Sequence, residues 1–283
     1  MNKIWFNDRL IDRDEALVNV LSSTAQFGLS VFEGVRSYVC ADGKRRVFKL
    51  QEHLNRLSKS HEILEMSDCV HMKSIRRGIE SLSDLFPRDV DIAFRIILSE
   101  AEDVSWHGTG NTVLIIAPKE MPTRTYQESR VSLSFSSYFR ISNDLLPEVK
   151  CGANYINSRY AKREAISRGF DDAIMFNREG FMSEGTGSCV FIVNGGELIT
   201  SRISDGILNS ITRDTLIDIA ERLGIKVVER KVSKYDILTS SEVFLVGTAV
   251  EVTGVHKIEN RTIRLGPIGK LLYTKYQDYV RHV

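Results

Sequence analysis

Nothing in this 283-residue chain is extreme, and what it lacks narrows the field. Charge of one sign is missing: 38 basic residues stand against 37 acidic ones, a formal net charge of +1. That balance gives no electrostatic reason to expect nucleic acid or an anionic membrane as partner. Long apolar runs are missing too; none approaches the ~18 residues of a membrane span. The opening MNKIWFNDRL has no apolar core of signal-peptide length. A soluble cytoplasmic protein is the expectation. Cysteine is scarce: Cys40, Cys69, Cys151 and Cys189 are widely spaced and form no C-x-x-C. Free thiols in a reducing compartment are expected, not disulfides or zinc.

Familiar motifs are absent as well. The close glycines of GTGN (108–111) and EGTGSC (184–189) complete neither G-x-G-x-x-G nor a P-loop. There is no H-E-x-x-H and no G-x-S-x-G. The six histidines are scattered. His53 and His61 lie eight apart on one predicted helix and read as surface or core residues. No metal is expected, and no internal repeat or low-complexity tract appears.

What is present is a mixed pattern. Hydrophobic residues make up 42% of the chain, enough for a sizeable core. KIWFN and RLIDR flank Asn7-Asp8 as a hairpin, and VRSYVC and RRVFKL flank a second turn. Leu50 to Leu64 is predicted helical, as is a second stretch marked by Ile75, Ile79, Leu82 and Leu85. DIAFRIIL and TVLIIAP read as buried strands. Later, VSLSFSSYF, DDAIMF, CVFIVN, ELITS and SEVFLVGT read as strands, and 157–168, 213–223 and 268–280 as helices. Thr212 would cap the helix over 213–223, with Gly224 stopping it. The polar stretch KEMPTRTYQESR (119–130) reads as an interdomain linker. Strands and helices alternate without a regular βαβ rhythm, so the expected fold class is α+β.

One stretch stands out. In LPEVKCGANYINSRYAKREA (146–165), Lys150 stands among Cys151, Gly152 and Ala153. A surface lysine needs no such room; a lysine tied covalently to a flat cofactor does. Together with FGLSVFEGVRSY (27–38), LQEHLNRL (50–57), FMSEGTGSCVFIV (181–193), ILNSITRDTLIDIAERLGI (207–225) and EVFLVGTAVEVT (242–253), it resembles the fold-type-IV, pyridoxal-phosphate-dependent aminotransferases. The branched-chain amino acid aminotransferases are the nearest members. The six blocks occur in order over essentially the whole chain.

The resemblance implies a two-domain architecture, a small α/β domain over 1–118 and a larger cofactor-binding domain over 131–283, with pyridoxal 5'-phosphate in the cleft between them. By resemblance, Lys150 of K-C-G-A-N-Y forms the Schiff base and then shuttles a proton. Glu184 faces the pyridine nitrogen and keeps it protonated, which makes the ring an electron sink. Arg56 of E-H-x-x-R-L binds the phosphate. Ile211 and Thr212 offer backbone N–H groups to it at a helix start, Thr248 adds a hydroxyl, and Tyr155 donates to the phenolic oxygen. Taken alone these would read as a surface lysine, a turn glutamate, a solvated helix arginine, an N-cap and a core tyrosine.

The implied substrate residues are Phe27, Phe32, Arg95 and the Gly247-Thr248-Ala249 loop, whose backbone meets the carboxylate. Arg95 aligns with the arginine of the family's Y-x-R, in an apolar strand where an unpaired charge is costly. Three departures stand here. Ala93 replaces the tyrosine of Y-x-R, Phe27 replaces another pocket tyrosine, and L-N-S-I-T-R replaces L-P-G-I-T-R. The implied reaction passes the amino group of an apolar, branched-chain-type L-amino acid to 2-oxoglutarate or another 2-oxo acid, in a homodimer or higher homo-oligomer. D-amino-acid aminotransferase and 4-amino-4-deoxychorismate lyase share the cofactor residues, and a cofactor-binding protein without turnover is the reading from a different class.

Overall fold

The structure is a computed structural model that describes residues 2–66 and 72–282; Cys69 lies outside them. The chain divides into two compact units. The first comprises Met1–Thr123, Val149–Ala153 and Val280–Val283, and the second Arg124–Glu148 and Asn154–Tyr279.

In the first unit the elements are β1 (Lys3–Phe6), β2 (Arg9–Asp12), α1 (Ser23–Phe27), β3 (Ser30–Val39), β4 (Arg45–Val47), α2 (Leu50–Ile63), α3 (Met72–Ser83), β5 (Asp91–Glu100) and β6 (Thr112–Met121). The six strands form one sheet in the order β2-β1-β6-β5-β3-β4. The first hairpin closes through Asn7 and Asp8, both at positive φ, as a two-residue primed turn demands. Because side chains alternate along a strand, Val31 and Val35 of β3 share a face with Phe94 and Ile96 of β5 and Ile116 of β6. That face forms the core with Leu54 and Leu57 of α2 and Ile75, Ile79 and Leu82 of α3. At Gly78, a Cβ would lie 2.7 Å from the Trp5 ring, so α3 lies close against β1 only because this residue has no side chain.

The opposite face of the same strands carries Phe32, Gly34, Ala93 and Arg95. Lys119, Glu120 and Met121 pair with Ala93, Ile92 and Asp91. The expected linker over 119–130 therefore begins as the last three residues of β6; a polar composition does not end a strand whose neighbour still offers ladder hydrogen bonds.

The second unit holds β7 (Arg130–Phe139), α4 (Tyr155–Ser167), β8 (Asp172–Phe176), β9 (Met182–Gly185), β10 (Cys189–Asn194), β11 (Glu197–Thr200), α5 (Ile211–Arg222), β12 (Val227–Glu229), α6 (Lys234–Thr239), β13 (Glu242–Gly247), β14 (Glu251–Ile258), β15 (Arg261–Thr262) and α7 (Pro267–Arg281). Its nine-stranded sheet runs β12-β11-β10-β13-β14-β7-β8-β9, with β15 on β14. The pairs β11/β12, β14/β7 and β7/β8 are parallel and the others antiparallel. A mixed sheet with helices and no βαβ rhythm is the α+β class expected. Cys40, Cys151 and Cys189 are buried free thiols. Among the described residues, no helix is long and apolar enough to cross a membrane.

Candidate active site

Lys150 belongs to the first unit, although the resemblance assigned it to the larger domain. Backbone pairing puts it there. The Phe32 N–H donates to the Lys150 carbonyl at 3.0 Å and the Gly152 N–H to the Ser30 carbonyl at 2.9 Å. Val31 and Cys151 form an antiparallel bridge. Val149–Ala153 thus lies alongside β3, tied to it by a single bridge and its two flanking hydrogen bonds. Val149 and Cys151 turn into the core, and alternation sends Lys150 to the other face. There its Nζ lies 4.8 Å from the centre of the Phe32 ring, and the Arg95 guanidinium carbon lies 4.7 Å from the same centre. An amine, an apolar ring and a guanidinium meet on one face of one sheet.

The small residues after Lys150 have a reason the sequence did not disclose. A Cβ on Gly152 would lie 2.7 Å from Ser30 Oγ. The Gly28 carbonyl oxygen lies 3.4 Å from the same point, so crowding by β3 and the residues before it is itself a reason for a glycine here. Arg95 also differs from expectation. It is exposed on an open face rather than buried among the apolar residues of β5. Period-two alternation gives Ile96 and Phe94 to the core and leaves Arg95 outside it. Phe27 ends α1 with its ring half exposed.

Arg56 reaches from α2 to Glu33 on β3. Its Nε donates to Glu33 Oε1 at 2.6 Å and its Nη2 to Oε2 at 2.8 Å. His53 Nδ1 lies 2.8 Å from the same Oε2. Glu33 is wholly buried. Burial pushes its carboxyl pKa up, but the hydrogen bonds from His53 and Arg56 and the Arg56 charge outweigh it, and the group is held down from 4.5 to about 2. The carboxylate is therefore ionised throughout the neutral range.

In the second unit, Glu184 of β9 is buried beside a buried arginine, Arg140, which follows β7. Arg140 Nε lies 2.7 Å from Glu184 Oε1, and the Leu208 N–H donates to Oε2 at 3.2 Å. A cation and a backbone donor both favour the charged carboxylate. Near it, burial and then the Glu184 charge push the Cys189 thiol up to about 12, so this cysteine is no rival nucleophile.

α5 begins two residues earlier than expected. Ser210, not Thr212, is its N-cap, accepting from the Arg213 N–H at 3.3 Å. Ile211 and Thr212 are the first two helical residues, whose N–H groups no carbonyl within the helix reaches. The Thr212 and Thr248 hydroxyls lie 3.4 Å apart. Thr248 and Ala249 belong to the turn between β13 and β14, just after Gly247. Tyr155 is the first residue of α4, half-buried.

The amino-transferase class IV family profile matches residues 30–258. This chain belongs to the class IV aminotransferases. Its similarity to individual members runs nearly end to end. It is 31% identical to the branched-chain-amino-acid aminotransferase of Pseudomonas aeruginosa over 98% of this chain and 92% of that one. It is 34% identical to a putative branched-chain-amino-acid aminotransferase of Methanocaldococcus jannaschii over 98% and 96%. Among solved structures, the branched-chain amino acid aminotransferase of Thermobaculum terrenum in its PLP-form superposes with a TM-score of 0.90 at 34% identity, covering 99% of this chain and 94% of that one. The Thermoproteus uzoniensis branched-chain aminotransferase with norvaline also scores 0.90, at 32% identity and the same two coverages.

Two partners of the expected site residues in this class IV aminotransferase escaped the sequence reading, Glu33 and Arg140; His53, read there as a surface or core residue, is buried against Glu33. A signal existed for the first. Glu33 interrupts the apolar row Val31, Val35 on the core face of β3, and a carboxylate there needs buried partners. His53 and Arg56, three apart on α2, share the face that supplies them. Arg140 had no local signal.

Proposed function

We propose that the enzyme transfers the amino group of an apolar, branched-chain-type L-amino acid to 2-oxoglutarate, with pyridoxal 5'-phosphate as cofactor. The observation that carries this reading is the group Lys150, Phe32 and Arg95. It offers an amine for the cofactor, an apolar surface for a side chain and a cation for a carboxylate.

The donor set fits the cofactor. Arg56, the Thr212 and Thr248 hydroxyls and the first-turn N–H groups of Ile211 and Thr212 are donors suited to a phosphate dianion. Glu184, paired with Arg140, suits a protonated pyridine nitrogen. Tyr155 offers a phenol to the ring oxygen. When bound, the cofactor supplies an electron sink for the substrate Cα. Lys150 takes the proton from that carbon and carries it across to the cofactor, rather than putting it back where it came from. Phe32 packs against the substrate side chain, and Arg95 with the Gly247-Thr248-Ala249 turn holds the carboxylate.

The deciding experiment is a coupled assay of single L- and D-amino acids with 2-oxoglutarate. Activity on L-leucine, L-valine or L-isoleucine is expected. Activity confined to D-amino acids, or pyruvate release without an acceptor, would replace this reading by one of the two alternatives.

Arg56→Ala should weaken cofactor retention more than it alters turnover of the loaded enzyme. Charge-assisted hydrogen bonds are worth about 1.5–3 kcal/mol, so roughly a 10- to 150-fold rise in cofactor Kd is expected. Dialysis into cofactor-free buffer, then rescue with excess cofactor, measures it; unchanged retention would leave Arg56 a structural partner of Glu33 alone.

Arg95→Ala should raise KM for amino acids about tenfold, the effect of about 1.5 kcal/mol for one charged hydrogen bond at an exposed site, with cofactor binding intact. Ala93 shares the open face of β5 with Arg95, so Ala93→Tyr would put a phenol beside the guanidinium and lower KM for branched-chain substrates. If Arg95→Ala leaves every specificity constant unchanged, the carboxylate is held elsewhere.

A homodimer belongs to the same proposal, supported by exposed apolar side chains at Leu17, Val20, Leu21 and Trp106; light scattering on the purified protein tests it. So does a cytoplasmic location, supported by buried thiols that remain free.

A further inference from the structure

Glu33 occupies a row that should be apolar. Its neighbours on the core face of β3 are Val31 and Val35, both fully buried. A carboxylate placed there meets no water, so its oxygens must be satisfied by protein. Three nitrogens of α2 reach it: His53 Nδ1, Arg56 Nε and Arg56 Nη2. Two bonds to adjacent nitrogens fix the plane of a guanidinium as well as its position. The clamped edge of Arg56 is Nε–Nη2, so the Nη1 edge is turned away from the carboxylate. The burial of the pair is lopsided. Glu33 is 0% exposed, whereas Arg56 keeps 15% of its side chain at the surface. An anion arriving at this pair meets only its cationic end.

We propose that Glu33 is a positioning residue for the cofactor phosphate. It presets the plane of the Arg56 guanidinium, and His53 holds the Glu33 carboxylate in the rotamer that does so. The inference rests on the reading of Arg56 as a phosphate partner. Its rival is that Glu33 only neutralises a half-buried arginine. The two differ in sign. A neutralising carboxylate weakens the pull on phosphate, so its removal tightens binding. A positioning carboxylate strengthens it, so its removal loosens binding of the phosphorylated cofactor alone.

The test uses the full-length protein stripped of cofactor and titrated with pyridoxal 5'-phosphate and, separately, with pyridoxal, following the visible absorption of bound cofactor. The readout is the ratio of the two Kd values. Glu33→Gln keeps the shape but presents an amide to the guanidinium. It should lower the preference for the phosphorylated form about tenfold, the effect of misplacing one charge-assisted hydrogen bond, with pyridoxal Kd unchanged. His53→Gln should act in the same direction and less. Adding Glu33→Gln to Arg56→Ala should lose nothing further. Tighter phosphorylated-cofactor binding, equal loss for both ligands, or an unchanged ratio in Glu33→Gln would each overturn the positioning role. An unchanged ratio in Arg56→Ala would instead remove Arg56 from the phosphate site. If Glu33→Gln does not fold, Arg56→Lys serves, because lysine keeps the charge without the two-pronged clamp; full preference in Arg56→Lys would overturn the proposal.

Discussion

Borohydride added to the yellow holoenzyme will leave the reduced cofactor on the peptide that carries Lys150, and Lys150→Ala will cut transamination by about 100- to 10,000-fold, the usual contribution of a positioned acid–base group. The backbone explains the specificity of the labelling. Lys150 is held by the ladder to Ser30 and Phe32, and its N–H donates to Ser60 Oγ at 3.2 Å. Its amine is therefore delivered to the Phe32 ring without the chain having to order a loop. The nearest rival in sequence, Lys162, is engaged elsewhere, 3.1 Å from Asp172. Peptide mapping that placed the adduct on Lys162, or a Lys150→Ala protein with full turnover, would sink the assignment.

Glu184→Gln should retain the cofactor and turn over roughly 100- to 1000-fold more slowly, the price of losing one electrostatic partner of a developing charge, about 2.7–4 kcal/mol of barrier. Glutamine keeps the size of the side chain, and its carbonyl still accepts from the Leu208 N–H. What it lacks is the negative charge that Arg140 secures at 2.7 Å. A neutral amide cannot hold a proton on a pyridine nitrogen, so the ring becomes a poorer electron sink. The same change leaves Arg140 buried without its counter-charge, and breaking one side of a buried pair costs about 3–5 kcal/mol of stability. Thermal unfolding should fall alongside the rate. Stopped-flow absorbance of the first half-reaction separates the two effects, and near-normal turnover would reject the role given to Glu184.

Patterns that are local in the chain were readable before the fold was known. The apolar runs DIAFRIIL and TVLIIAP led to β5 and β6, and the helical spacing of Leu54 and Leu57 to α2. What stayed hidden depends on which distant backbones meet. Gly152 is small because Ser30 comes close to it across 122 residues of chain, which no local pattern encodes. Thr212 and Ser210 are both good caps by type, and only the backbone angles decide that Ser210, extended at φ −91° and ψ 121°, is the one. Arg95 looked buried because its sequence neighbours are apolar, yet it lies on the face of β5 opposite Phe94 and Ile96 and is exposed. The chemistry of Lys150, Arg56 and Glu184 came from the family blocks; their companions Glu33, His53 and Arg140 are paired through space and emerged only with coordinates.

The sequence discontinuity of the first unit bears on how the protein is made. Residues 1–123 contain every named strand of the six-stranded sheet, but the segment carrying Lys150 is synthesised later. At about 5–20 residues per second, the stretch from Phe32 to Lys150 takes on the order of ten seconds to emerge. During that interval a nascent first sheet holds an unfilled ladder position beside Ser30 and Phe32, an edge of the kind that recruits stray strands. The Lys150 segment is the plug for that edge. Chains that terminate prematurely before residue 149 would lack Lys150 and the cover together, and so would keep that edge exposed.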